Sequence, residues 1–195
     1  NLFTVHRLDR ETSGLIVFAK SKDVSQFLFN EFKSKFVKKT YFAIVHGIPN
    51  SFGFFSSPLV ETSFGNIRDS VLPVSVGKLT KTEYELVSSS FDKKFSLLKL
   101  NPISGKKHQI RVHLSTAGFP IVGDKQYGFY PEKLNDYFLG VLSSQEILDL
   151  WLAPRHLLHC SSLSFKHPKS LKTVCFQSKI TSDLVYFLNR AKFDL

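Results

Sequence analysis

The hydrophobic pattern at the start of the chain predicts a strand, a helix and a second strand. A short apolar run, Leu15–Ala19, follows Gly14 and is typical of a strand buried on both faces. A helix capped by Ser21 or Asp23 comes next, because its apolar side chains recur at helical spacing. They are Val24, Phe27, Leu28, Phe32 and Phe36. The run Tyr41–Val45 then predicts the second strand, which Gly47 closes.

The rest of the chain mixes helices and strands without a regular βαβ rhythm. Residues 50–80 are rich in Ser, Gly, Phe and Pro and predict irregular loop or short hairpins. Further strands are predicted at Glu83–Val87, Phe95–Leu100, Leu157–Leu163 and Thr173–Phe176. Helices are predicted at residues 110–117, at residues 129–152 with the capping box Ser143-x-x-Glu146, and from Leu184 to Ala191. The fold class is therefore predicted to be α+β.

The composition describes a basic globular protein. The chain has 195 residues with 43% hydrophobic residues, so one domain over residues 1–195 with a substantial core is expected. Its 26 Lys and Arg against 16 Asp and Glu leave a net charge of +10, which favours a phosphate-rich partner. The longest apolar runs are too short to cross a bilayer, so no membrane partner is expected.

Two cysteines and a missing methionine bear on location and completeness. Cys160 and Cys175 lie in apolar contexts without the spacing of a disulfide scaffold, so both are interpreted as reduced core residues of a cytoplasmic protein. The chain contains no Met and begins at Asn1. We therefore expect a fragment of a longer chain, incomplete at its N-terminus.

Several classes of site lack their sequence pattern. The seven histidines form no HExxH, and neither paired cysteines nor an Asp-rich calcium loop occurs, so no metal is expected. GxGxxG and GKS or GKT are absent, which leaves nucleotide cofactors unsupported. A GxSxG elbow is absent as well, although residue counts alone leave a Ser-His-Asp triad open.

The segment His6–Gly14 is charge-dense and leads directly into the predicted buried strand. A solvated turn capped by Asp or Thr is one interpretation of it. An aspartate at the edge of a core strand is, however, well placed to be a rigidly held nucleophile, which makes Asp9 the first candidate. The aspartyl phosphatase pattern requires a second Asp two positions later, where this chain has Glu11.

Four ordered blocks of residues carry a resemblance to a known family. The stretch His6-Arg7-Leu8-Asp9-x-x-Thr12-Ser13-Gly14-Leu15 resembles the signature of the RluA-type family of RNA pseudouridine synthases. Further blocks similar to family motifs occupy residues 39–47 (Lys-x-Tyr-x-Ala-x-Val-x-Gly), 104–128 (from Ser-Gly-Lys-Lys-His-Gln-Ile-Arg to Gly-Asp-x-x-Tyr-Gly) and 158–168. The third block departs from the family at Ser104-Gly105-Lys106, where Thr-Gly-Arg is usual.

The resemblance implies a fold and a reaction. The fold is a central mixed, mostly antiparallel sheet with flanking helices and loops and an active cleft across it. The reaction is the isomerisation of a uridine in ribosomal or transfer RNA, in which the base leaves the ribose at N1, turns and rejoins through C5. No cofactor is implied, because the uridine supplies every atom of the product. Family members also carry strands, and often an S4-type domain, ahead of the first motif.

The resemblance also implies site residues. Asp9 matches the essential aspartate, Tyr41 the tyrosine that packs on the base, and Arg111 the arginine that pairs with the aspartate. Arg7 can fill the space that the flipped base vacates. RNA-binding residues are expected in the third block, namely Lys106, Lys107, His108 and Gln109, with Lys125 near them.

Alternatives stay open beside these assignments. Tyr41 is also explained as a strand aromatic, Arg111 as a surface ion-pair partner, and the lysines between 33 and 39 as a solvated helix end, although the charge favours a phosphate-tracking surface. For the whole chain, the alternative is a non-catalytic basic RNA-binding module on the same scaffold. A monomer is expected in either case.

Overall fold

The computed structural model describes residues 1–64 and 67–194, with the side chains of residues 63–69 left out. The strands are β1 Phe3–Thr4, β2 Ser13–Gly14, β3 Phe18–Ala19, β4 Lys38–His46, β5 Phe52–Phe64, β6 Ile67–Pro73, β7 Leu79–Ser89, β8 Phe95–Pro102, β9 Leu158–Lys166 and β10 Thr173–Gln177. The helices are α1 Lys22–Lys33, α2 Gln109–Thr116, α3 Leu134–Phe138, α4 Ser144–Trp151 and α5 Ser182–Arg190. The α+β class is confirmed.

One sheet organises the molecule. Its strands follow the order β10-β9-β4-β8-β7-β5-β6, and each neighbouring pair in that order is antiparallel. The short strand β2 joins it by pairing with β9 in parallel, while β1 and β3 form a separate two-stranded ribbon. The predicted mixed, mostly antiparallel sheet is confirmed.

The interior strand β4 separates two hydrophobic clusters. Ala43 and Val45 contribute to the cluster that contains Leu114 of α2, and Ile44 contributes to the cluster that contains Leu184 of α5. Successive side chains of a strand point to opposite faces, so this alternation shows that α2 and α5 cover the sheet from opposite sides. Both faces of β4 are therefore buried, which fixes its position and that of the residues at its ends.

The prediction of one continuous strand at Leu15–Ala19 is wrong. The chain pairs with β9 at Ser13 and Gly14, leaves that strand, and pairs with β1 only at Phe18 and Ala19. A strand that changes partners within the seven residues from Ser13 to Ala19 cannot keep both faces covered. Phe18 is exposed as a result, while the next residue, Ala19, is buried.

Residues 50–80 also differ from the prediction of irregular loop or short hairpins. They form the long strand β5, the strand β6 and the start of β7, although residues 65 and 66 lie outside the described residues. Phe52 and Phe54 of β5 lie on an exposed face of the sheet. The apolar residues of this strand are therefore not confined to the buried face, which explains why no period of two marks it.

The helix ends agree with the predicted caps. The Ser21 hydroxyl accepts a hydrogen bond from the Val24 amide at the start of α1, and Ser143 and Glu146 form the predicted capping box of α4. The predicted helical region at residues 129–152 is divided, however, into a 3₁₀ turn at Pro131–Lys133, α3 and α4.

Both cysteines are free, but only Cys160 is buried, so the prediction of a core position is wrong for Cys175. Cys175 lies on β10, which borders β9 alone and forms an edge of the sheet, and this leaves its side chain exposed.

Within residues 1–64 and 67–194, no helix combines the length and the apolar character that crossing a membrane requires.

Candidate active site

A cleft of about 450 Å³ lies where the loop before β2, the start of β4 and the loop before α2 meet. Asp9, Tyr41 and Arg111 all line it, as do Arg7 and residues 104–109. These residues come from parts of the chain up to about a hundred positions apart, and the sheet brings them together. Eight of the residues expected to act in catalysis or RNA binding border this one cleft, namely Arg7, Asp9, Tyr41, Lys106, Lys107, His108, Gln109 and Arg111.

Asp9 lines the cleft and lies on a turn. Its carbonyl oxygen accepts a hydrogen bond from the Thr12 amide at 2.9 Å. Its carboxylate is partly open to solvent, with Oδ2 3.3 Å from Nη1 of Arg111 and Oδ1 3.9 Å from Nε2 of His108. The carboxylate is thus within reach of a ligand and beside a fixed cation.

Arg111 is buried in α2, and Asp124 holds it more closely than Asp9 does. Nε and Nη2 of Arg111 donate to the two carboxylate oxygens of Asp124 at 2.7 and 2.8 Å. Burial alone would raise the pKa of Asp124, but the guanidinium outweighs that effect and holds the pKa well below its usual range. Burial would lower the pKa of Arg111, and Asp124 outweighs it in turn. The pair remains ionised, and Nη1 is left for Asp9.

His108 lies beside Asp9, and Tyr127 contacts His108 from the other side of its ring. The Val71 amide donates to the Tyr127 hydroxyl oxygen at 2.8 Å, and that hydroxyl lies 2.8 Å from Nδ1 of His108. Burial, with a contribution from Arg111, lowers the pKa of His108 to about 4, so the ring is neutral. If the phenol donates its proton to Nδ1, the imidazole proton is on Nε2 and faces Asp9.

Tyr41 forms part of the wall of the cleft from β4, where it lies opposite Leu100 of β8 and Cys160 of β9. Burial raises the pKa of its hydroxyl well above the ordinary value, with further contributions from Cys160 and Asp9. A neutral aromatic ring beside Asp9 offers a flat apolar surface to a planar ligand. The side chains of Leu8, Ile110 and Leu158 add apolar surface to the cleft.

Gln109 uses its side chain inside the protein. Its Oε1 accepts hydrogen bonds from the Ser104 hydroxyl at 2.8 Å and the Lys106 amide at 3.1 Å, and its Nε2 donates to the Lys81 carbonyl and the Thr82 hydroxyl. Any contribution of Gln109 to RNA binding therefore acts through the loop that it holds. Lys106 and Arg7, by contrast, are exposed at the cleft.

Lys125 does not lie on the phosphate-tracking surface that the sequence suggested. Its side chain is 3% exposed, and its ammonium pairs with Glu11 at 3.3 Å. Glu11 also accepts a hydrogen bond from the Tyr137 hydroxyl at 2.6 Å and one from the His156 amide at 3.1 Å. Burial would raise the pKa of Glu11, but Lys125 and these contacts together lower it. The cluster anchors the loop two residues beyond Asp9.

Sequence reasoning gave no role to Asp124, Tyr127 or Glu11. The signal for the first two was present, because Asp124 and Tyr127 are fixed positions of the third block. Their function follows only from the fold, which places α2 beside residues 123–128. Glu11 carried no signal beyond its place two residues after Asp9.

Comparisons with known proteins identify the family of the chain. The family model described as RNA pseudouridylate synthase matches residues 1–116. Ribosomal large subunit pseudouridine synthase C of Buchnera aphidicola subsp. Acyrthosiphon pisum is 35% identical over 189 residues, which are 95% of this chain and 55% of that protein. Ribosomal large subunit pseudouridine synthase D of Zymomonas mobilis is 32% identical over 92% of this chain and 53% of that protein.

A solved structure is similar over the whole chain. The human RNA pseudouridylate synthase domain containing 4 superimposes with a TM-score of 0.75 at 29% identity, covering 100% of this chain and 77% of that one. The chain spans about half the length of the curated relatives described above.

Proposed function

Because this chain belongs to the RNA pseudouridylate synthase family, we propose that it converts specific uridines of RNA to pseudouridine. The observation that carries the proposal is the cleft itself. An accessible carboxylate, Asp9, lies 3.3 Å from the Arg111 guanidinium and shares the cleft with the Tyr41 ring. A fixed cation beside a carboxylate favours the ionised carboxylate, and an aromatic surface can stack on a planar base, so the three groups together suit this reaction.

The reaction under this proposal is an isomerisation with no added atoms. The bond between ribose C1′ and uracil N1 breaks, and a bond between C1′ and C5 forms. The proton on C5 is released to water, and N1 takes up a proton. Asp9 acts at the ribose or as the base in the rearrangement, and either role requires it ionised beside the substrate. Neither a metal nor an organic cofactor is needed.

Tyr41 retains the detached base under the proposal. Stacking tolerates rotation about the ring normal better than hydrogen bonds do, so a uracil against an aromatic ring can turn without leaving the cleft. The base has to be flipped out of the RNA first, at a cost of a few kcal/mol. Arg7, exposed at the mouth of the cleft, is proposed to fill the vacated space.

The third block is proposed to hold the RNA backbone. Lys106 and Lys107 line the cleft and supply positive charge, His108 faces Asp9 from the same loop, and Gln109 keeps that loop in place. Lys106 takes the place of an arginine in the family motif and gives a phosphate a point charge instead of a planar fork. Binding should therefore weaken steeply with salt.

Large-subunit ribosomal RNA is the first substrate to test, because the Buchnera and Zymomonas relatives are named as ribosomal large subunit synthases. Transfer RNA remains the second. We further propose that residues 1–195 belong to one catalytic domain, that the protein acts as a monomer, and that it works in the cytoplasm, where its two cysteines stay reduced.

Release of tritium tests the proposal directly. Ribosomal and transfer RNA labelled with tritium at uridine C5 are incubated with the protein, and tritium in water is counted, because joining the ribose at C5 displaces that hydrogen. Asp9→Asn should abolish release while RNA binding persists. Asp23→Asn, an exposed carboxylate at the start of α1, is the control and should retain release. Tight RNA binding without release under any condition would instead support the non-catalytic binding module.

A further inference from the structure

A second groove leads away from the cleft toward the C-terminal end of α1. It has a volume of about 400 Å³ and lies between α1, the start of β4 and the end of β8. Residues at the mouth line both it and the cleft: Arg7, Lys39, Pro102, Ser104 and Gly105. We call it the α1 groove. Anything that occupies the cleft and continues along the protein surface has an open path here.

Several cations line the α1 groove. Arg7, Lys33, Lys35 and Lys39 border it, whereas neither Asp nor Glu does. Within the described part of the chain, none of these four side chains has a carboxylate within 4.0 Å. Clustered like charges repel one another, and a bound polyanion would neutralise them.

Aromatic surface lies among these charges. Phe29 of α1 is about half exposed at 52%, and Phe32 beside it stacks on the His6 ring with centroids 4.5 Å apart. The Val17 amide donates to Nε2 of His6 at 2.9 Å and fixes that ring. Alternating basic and aromatic side chains along a groove are the arrangement that binds single-stranded nucleic acid, because phosphates contact the cations and bases stack on the rings.

Lys39 stands at the junction of the cleft and the α1 groove. Burial lowers the pKa of its ammonium, so a phosphate here would relieve the cost of desolvating the charge. A Cβ added to Gly105 would lie 3.4 Å from this ammonium, and the absence of that side chain leaves the junction open. A backbone phosphate next to a base in the cleft would pass this point.

Lys35 lies in the left-handed region, with φ of +60°, at the turn that ends α1. Gly or Asn is preferred at such a position, so the lysine costs backbone energy that glycine would avoid. The turn itself is held by the Lys35 and Phe36 amides, which donate to the Phe32 and Glu31 carbonyls. Its side chain is exposed and borders the α1 groove.

We propose that the α1 groove binds the single-stranded RNA segment adjacent to the target uridine. Its phosphates contact Lys39 and then Lys33 and Lys35, and one of its bases stacks on Phe29. The inference rests on the proposed function for the identity of the polymer, and it assigns the path by which that polymer leaves the cleft.

A pair of glycine variants tests the charge contacts. Lys35→Gly and Lys93→Gly each remove one exposed lysine at a left-handed position, φ +60° and +59°, but Lys93 lies beyond the other end of β8. Binding of a fluorescein-labelled ten-nucleotide oligouridylate is measured by anisotropy at several KCl concentrations. Lys35→Gly should weaken binding and reduce the slope of log K against log [KCl] by about 0.7, the value for one phosphate on a single strand. Lys93→Gly should leave both unchanged.

A second pair tests the stacking contact. Phe29→Ala should weaken oligouridylate binding about 5- to 160-fold without changing the salt slope. Phe91→Ala removes another exposed ring, in the turn between β7 and β8, and should bind as the wild type does.

The two glycine variants, Lys35→Gly and Lys93→Gly, should also remain folded. Neither should lower the midpoint of urea unfolding, because glycine is favoured at a positive φ.

The outcomes separate this proposal from the proposed function. If Lys35→Gly and Phe29→Ala bind oligouridylate as their controls do while the wild type releases tritium, the groove assignment is wrong and the enzyme assignment stands. If both variants lose binding but no RNA ever releases tritium, the groove assignment stands and the enzyme assignment fails. Equal binding of polyglutamate, sensitive to Lys35→Gly but not to Phe29→Ala, would show a general anion surface and overturn the RNA path.

Discussion

Asp124 fixes the orientation of Arg111 through two hydrogen bonds, 2.7 and 2.8 Å long, from Nε and Nη2. Both groups are almost completely buried, so the pair behaves as one rigid unit at the base of the cleft. The remaining nitrogen, Nη1, is thereby aimed at the carboxylate opposite. Asp124 therefore holds Arg111 in the position from which its free nitrogen contacts Asp9.

We expect Asp124→Asn to impair catalysis more than RNA binding. The substitution keeps the size of the side chain but leaves the Arg111 cation buried without its counter-charge, which should destabilise the fold by about 3 to 5 kcal/mol. A displaced Nη1 should slow tritium release by about 100-fold. Urea unfolding measures the loss of stability, and the rate of tritium release is compared with RNA binding of the same variant. Glu85→Gln, which breaks the exposed pair with Lys99, is the control and should change stability by less than about 1 kcal/mol. A folded Asp124→Asn protein with normal release would contradict this account of Arg111.

Much of the fold was predictable because the spacing of apolar residues within one helix or strand shows which of its faces is buried. The spacing of Ile110 and Leu114 predicted α2, and the apolar run Tyr41–Val45 predicted β4. β2 was not predictable, because it exists only through pairing with β9, more than a hundred residues away. Long-range pairing of two residues leaves no period to detect.

Some features of the candidate site were predictable from the sequence, and others depend on contacts between distant parts of the chain. Asp9, Tyr41 and Arg111 were identified by resemblance, and the fold brings them into one cleft. The burial of Lys125 was not predictable, since its counter-charge, Glu11, lies 114 positions earlier in the chain. Net charge suggests a polyanion as partner, but it does not tell an exposed lysine from one held inside an ion pair.

Gly14 should not tolerate a side chain. Its φ is +114°, and a Cβ would lie 2.2 Å from the carbonyl oxygen of Cys160, its partner in β9. We expect Gly14→Ala to lower the free energy of unfolding by more than the roughly 1 kcal/mol that a positive φ costs alanine. Gly118→Ala, at φ +85° with no atom within 4 Å, should show only that conformational cost. Equal losses in urea unfolding would mean that the contact with β9 relaxes.

The partly buried pair of Glu11 and Lys125 should show strong coupling. Lys125→Met leaves the partly buried Glu11 carboxylate beside Tyr137 and His156 without its cation, which should cost up to about 3 kcal/mol. Glu11→Gln together with Lys125→Met removes both charges and should recover part of that loss. A double-mutant cycle in urea measures the coupling. Additive single effects would show that the two groups do not depend on each other.

Stability should fall as the pH drops from about 6.5 toward 4.5, because buried histidines resist protonation. Burial, with a smaller effect from Arg111, lowers the pKa of His156 to about 4, whereas an unfolded histidine titrates near 6.5. Between these values the unfolded chain holds a proton that the folded chain does not, so acid favours unfolding. Carboxylates with lowered pKa values contribute mainly below this window. Urea unfolding of the wild type and of His156→Gln across it should give a shallower pH slope for the variant, by up to about 1.4 kcal/mol per pH unit. Parallel curves would contradict the assignment to His156.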